Sequence, residues 1–168
     1  IDSYKISKNL HHAYFFVGDG GEIFLKLRDF LEKIVQIKTL GNPDFWYCKY
    51  NTLNIEGARE ISVAQERKDF AGERKIFVIQ ADFITEEAQN SLLKVFEEPT
   101  AGTHFFIISP QDMLLPTLRS RMMTIIIDDQ KNVKAVDKKG ILDLKLAERL
   151  VKVKEITDSI KDEERTKQ

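Results

Sequence analysis

At 168 residues, 42% hydrophobic and 32% charged, the chain is long enough to bury one good core and to begin a second small domain. A formal net charge of -1 argues against a protein whose whole surface grips nucleic acid, and leaves room for a local basic strip. A single cysteine, Cys48, excludes an internal disulfide and any multi-cysteine zinc site. No run approaches the ~20 apolar residues that span a bilayer, and there is no signal-peptide pattern, so the cytosol is the expected compartment and no membrane partner is expected. A first residue of Ile rather than Met is what a piece of a longer protein would show.

In chain order, Ala13 to Val17 is a short aromatic run that reads as a strand, followed at once by Gly18, Gly20 and Gly21. A strand that enters a Gly-rich turn before a helix is where a phosphate-binding loop sits, because small residues let backbone N–H groups reach phosphate oxygens. That pattern needs Gly, Lys and Ser or Thr at its sixth to eighth positions, which counted from Gly18 are Ile23, Phe24 and Leu25. No ammonium group reaches a phosphate and no hydroxyl holds magnesium. Two readings stay open here: a phosphate loop whose chemistry is gone, or a plain Gly-rich turn.

Residues 22–38 read as a helix with Ile23, Leu27, Phe30, Leu31, Ile34 and Ile37 on one face, extended near its start by Phe24 and Leu25. Asn42-Pro43-Asp44 is a turn, and residues 45–50 form an aromatic-rich strand. Asn54 is placed to cap a helix from Ile55 to about Phe70, with Ile55, Ala58 and Ile61 inward and Arg59, Glu66 and Arg67 outward. Arg59 and Arg67 fit either a solvated face or a face turned toward a partner or DNA.

The most informative stretch runs from Lys75 to Met122. Residues 76–79 and 105–108 are apolar, rich in Ile, Val and Phe, and too short for helices, so both read as buried strands. Between them Thr85 is placed to N-cap a helix, and Glu86 and Glu87 sit in the first turn, where the helix dipole favours negative charge. Ala88, Leu92, Val95 and Phe96 make its apolar face, and Pro99 and Gly102 stop it. A strand, helix, strand unit of this kind builds a parallel, helix-covered sheet. Residues 124–127 give a fifth strand, closed by Asp128-Asp129. From Lys131 the character changes: the tail holds 11 Lys and Arg against 8 Asp and Glu, with Leu142, Leu146, Leu150, Val153, Ile156 and Ile160 on one helical face. His11, His12 and His104 lack the spacing and companions of a metal site, and no nucleophile with its base is visible.

Three blocks, TEEAQNSLLK at 85–94, EEP at 97–99 and LPTLRSR at 115–121, occur in the order found in the clamp-loader branch of the AAA+ family. The chain resembles that branch, above all its delta-prime members, over about residues 10–127, with Met122 where the family usually has Cys. The four-cysteine zinc module that many members carry after the first helix is missing. The resemblance implies an α/β fold: a P-loop NTPase-like, three-layer AAA+ core with a five-stranded parallel sheet over residues 1–130. Residues 131–168 would begin a helical lid domain, the family's C-terminal collar being absent from this chain.

The same resemblance implies the chemistry. In active members the strand before this helix ends in Asp-Glu, one carboxylate serving the magnesium shell and one polarising the attacking water. The matching positions are Ile79 and Gln80, and Asp82 comes two to three residues late. With both motifs altered, the implied protein does not hydrolyse ATP, has no enzymatic activity and no cofactor of its own; ATP and magnesium are held by the neighbouring subunit. Arg121 matches the family's trans-acting arginine, with Ser120 in support and Arg119 either supporting it or anchoring to its own domain, and Ser109 sits near the family's strand-end sensor position. A fixed guanidinium stabilises the charge spread over a transferring phosphoryl group, and such fingers are worth about 10³ to 10⁵ in rate. Implied partners are the gamma/tau and delta clamp-loader subunits, and through the complex the sliding clamp and primed DNA. Competing expectations are an active AAA+ ATPase related to gamma/tau, and a AAA+-like interaction domain outside any loader, in which Arg121 would be an ordinary surface ion pair.

Overall fold

Strands whose side chains point alternately to opposite faces need cover on both sides when both faces are apolar. The computed structural model, which describes residues 10–70, 74–128 and 132–135, supplies that cover with helices. In chain order the elements are β1 (Ala13–Val17), α1 (Gly20–Lys33), β2 (Phe45–Leu53), α2 (Ile55–Glu66), β3 (Lys75–Ile84), α3 (Glu86–Glu97), β4 (Thr103–Ser109), α4 (Pro116–Arg119), β5 (Met123–Asp128) and β6 (Asn132–Ala135). The sheet order is β2-β3-β4-β1-β5-β6. The first five strands are mutually parallel, as expected, and β6 runs antiparallel beside β5.

Alternation divides the core in two. Ala13, Phe15, Phe77, Ile79, Phe105 and Ile107 face one side, where Ala58 and Ile61 of α2, Leu92 and Phe96 of α3 and Leu118 of α4 cover them. Tyr14, Phe16, Ile76, Val78, Phe106 and Ile108 face the other, under Ile23, Leu27, Phe30 and Leu31 of α1. The three layers implied by the resemblance are thus present. Phe105 binds two of them together, stacking on Phe77 at 5.1 Å and meeting the Phe96 ring edge-on at 4.9 Å.

Several boundaries differ from expectation. The helix read over 22–38 begins two residues earlier and ends at Lys33, because Gln36 takes a left-handed φ of 61° and turns the chain. Leu25, expected to extend its apolar face, is 55% exposed. The helix capped by Asn54 ends at Glu66 rather than near Phe70: Arg67 is extended, and the Lys75 ammonium group satisfies the terminal carbonyls of Gln65 and Arg67. The third strand is ten residues long, since β2 continues beside it to Leu53. Although the expected domain boundary lies at 130, Asn132–Ala135 still add a strand to the core sheet. The helical face expected over 142–160 lies outside the described residues.

Candidate functional site

Because β1 to β5 are parallel, the sheet has a carboxyl edge, where β1, β3 and β4 end, and an amino edge, where β1, β4 and β5 begin. The sequence-selected residues divide between the two.

At the carboxyl edge, Gly18 leaves β1 with φ of 148°, a conformation that favours glycine, and donates its N–H to the Ser109 carbonyl at 3.0 Å. A Cβ at Gly18 would lie 2.7 Å from the Ile127 carbonyl oxygen. Ser109 is buried at the end of β4, and its hydroxyl lies 3.9 Å from Met113 Sδ. Pleating separates the other pair: Ile79 points into the core beneath α2 and α3, while Gln80 points to the opposite face. The Gln80 amide reaches the Gly-rich turn so closely that a Cβ on Gly20 would sit 2.4 Å from Nε2. Tyr47 of β2 donates its hydroxyl to Gln80 Oε1 at 3.0 Å, and Phe24 of α1 stacks on Tyr47 at 4.2 Å. Gly21 is exposed, and Asp19 accepts the Glu22 N–H at 2.7 Å, capping α1 with a carboxylate.

At the amino edge, Arg121 stands two residues ahead of β5. Its guanidinium bonds the Thr117 carbonyl and pairs with Glu97, the last residue of α3. Arg119 turns away to pair with Asp112, and the Ser120 hydroxyl donates to the Thr117 carbonyl at 2.9 Å. The structure therefore places Arg121 and Ser120 together and separates Arg119 from them. Both arginines are about one-third exposed.

A sequence model of the family described as "DNA polymerase III, delta subunit" matches residues 3–131. The chain belongs to this family. Among curated proteins, the DNA polymerase III subunit delta' of Escherichia coli K12 is 40% identical over 73 residues, covering 42% of this chain and 22% of that protein. Two solved structures share the fold. A DNA polymerase III gamma subunit-related protein from Thermotoga maritima aligns with TM-score 0.59 and 19% identity, over 76% of this chain and 45% of the other. The Bacillus subtilis DNA clamp loader delta protein aligns with TM-score 0.55 and 14% identity, over 75% and 41%. The chain thus spans less than half the length of each of these relatives.

Within this delta family fold, two residues gain structural roles that the sequence did not reveal. Gln89, in the block at 85–94, is buried; its amide donates to the carbonyls of Ile84 (3.1 Å) and Met113 (3.2 Å) and accepts the Leu115 N–H at 2.7 Å. It fixes the loop that leads into α4 and on to Arg121. His12 lies against the carboxyl end of α3, with Nε2 3.0 Å from the carbonyl of Phe96, the residue before Glu97. Burial holds His12 below the usual imidazole value, helped by the neighbouring His11 and His104; burial likewise lowers His104. Near the edge strand β2, burial raises the Cys48 thiol and pushes Tyr50 up to about 12. Among the described residues no group of three or more His, Cys, Asp and Glu is arranged to hold a metal, and no helix is long and apolar enough to cross a membrane.

Proposed function

We propose that this chain is the core of a delta-prime type clamp-loader subunit that does not hydrolyse ATP and instead offers Arg121 to the nucleotide site of a neighbouring subunit. The single observation carrying this reading is the contact of Gln80 with Gly20. In an ATP-binding loop, the turn after the first strand and the end of the third strand must stand apart to admit phosphates and a metal. Here an amide from β3 lies against the turn, braced by Tyr47 and Phe24, and the helix N-terminus that would hold a phosphate already has the Asp19 carboxylate as its partner. The residues present do not fit a magnesium-bound triphosphate, so ATP and magnesium belong to the neighbour.

Arg121 supports the other half of the reading. A guanidinium that is one-third exposed and held through one carboxylate and one carbonyl keeps donors free for a phosphoryl oxygen across an interface. The neighbours on this reading are gamma/tau and delta subunits in the cytoplasm, and the assembly uses ATP to place the sliding clamp on primed DNA. The test is ATP turnover by the reconstituted loader with clamp and primed DNA, carrying the full-length subunit intact or as Arg121→Ala. A fall of about tenfold or more is expected, a loss of about 1.4 kcal/mol in transition-state stabilisation. An unchanged rate would refute the role of Arg121, and turnover by the isolated subunit would refute the silent site.

A further inference from the structure

We propose that His12 is a positioning residue for Arg121, acting through the carboxyl end of α3; the proposal rests on the reading of Arg121 as a residue offered to a neighbour. The last carbonyls of a helix lack intrahelical donors and must find partners elsewhere. For Phe96 that partner would ordinarily be the N–H four residues on, at Thr100, but Thr100 donates to Gln65 Oε1 at 3.1 Å instead. His12 fills the place, its Nε2 3.0 Å from the Phe96 oxygen across 84 positions of sequence. Since a carbonyl only accepts, Nε2 carries the proton.

The next residue along α3 is Glu97, the carboxylate partner of Arg121. The His12 ring is itself well held. Its main-chain carbonyl accepts the Phe105 N–H at 2.7 Å, and the His11 ring packs 4.2 Å away while the His11 carbonyl lies 3.0 Å from His104 Nδ1. Burial lowers His12 from the usual imidazole value, which favours the neutral ring of a single-donor role. A chain of contacts thus runs from the first residue ahead of β1, through the last turn of α3, to the guanidinium ahead of β5.

The experiment is a mutant cycle on ATP turnover by the complete loader with clamp and primed DNA. The full-length subunit carries His12→Leu, His12→Gln, Arg121→Ala, or His12→Leu together with Arg121→Ala. His12→Leu fills the space without a donor and is expected to lower turnover about fivefold, the order of one hydrogen bond. His12→Gln returns an amide donor and is expected to restore most of the rate. In the Arg121→Ala background His12→Leu is expected to cause no further loss, because its effect passes through Arg121. A normal rate with His12→Leu, a failure of His12→Gln to rescue, or a further loss in the Arg121→Ala background would each overturn the inference while the reading of Arg121 stands. No effect of Arg121→Ala would overturn that reading and the inference with it.

Discussion

The two edges of one sheet are built in opposite ways. At the carboxyl edge, side chains converge on each other: Gln80 against Gly20, Tyr47 on Gln80, Phe24 on Tyr47. These three side chains face their own chain, while Gly21 stays exposed. At the amino edge, the Arg121 guanidinium is held by the Glu97 carboxylate and the Thr117 carbonyl and remains partly exposed. The difference teaches that the two edges can be built independently, because the strands that separate them share one core and each edge is specified by different residues.

The sharpest way to break this division is through Gln89, which ties the amino-edge arginines to the body of the domain. Gln89→Leu leaves the buried Ile84 carbonyl, the part-buried Met113 carbonyl and the Leu115 N–H without their Gln89 partner. At about 1 to 3 kcal/mol for each buried group left unsatisfied, the loss is expected to be several kcal/mol in denaturant unfolding. A loss below about 1 kcal/mol would mean that water or a shifted loop replaces the amide.

A smaller effect sharpens the other edge. Gly20→Ala introduces a Cβ where the Gln80 amide lies, so the amide must shift and give up the hydrogen bond from Tyr47, and a cost of about 1 kcal/mol is expected. Gln80→Ala in the same chain removes the clash, and Gly20→Ala is then expected to be neutral or slightly stabilising, since Gly20 is in the first turn of α1. Equal costs in both backgrounds would place Gln80 elsewhere.

The smallest effect separates the edges by pH. His12 and His104, both near the amino edge, have folded values below the ordinary 6.5 of the unfolded chain. Between those values the unfolded chain binds more protons, so stability is expected to fall as pH drops below about 6.5. Replacing both by Gln is expected to flatten thermal stability between about pH 7 and pH 5, and an unchanged slope would contradict the burial of these rings.

Much of the scaffold was legible because it rests on local chemistry. Thr85 accepts the Ala88 N–H and Asn54 the Gly57 N–H, as their positions ahead of apolar helical faces suggested. The strands at 76–79 and 105–108 were visible as apolar runs, though not their full lengths, which pairing with neighbours decides. The end of α1 was hidden because a non-glycine residue, Gln36, makes the turn. The elements of the candidate site were legible as motifs, but not their arrangement: the meeting of Gln80 with Gly20, of Arg121 with Glu97 and of His12 with Phe96 joins residues far apart in the chain.

The most direct test sets the two edges against each other in one assay: ATP turnover by the reconstituted loader whose full-length subunit carries either Arg121→Ala or Gln80→Leu. Arg121→Ala is expected to lower turnover by about tenfold or more, and Gln80→Leu to leave it within about twofold. A loss caused by Gln80→Leu, with Arg121→Ala indistinguishable from the intact subunit, would contradict it.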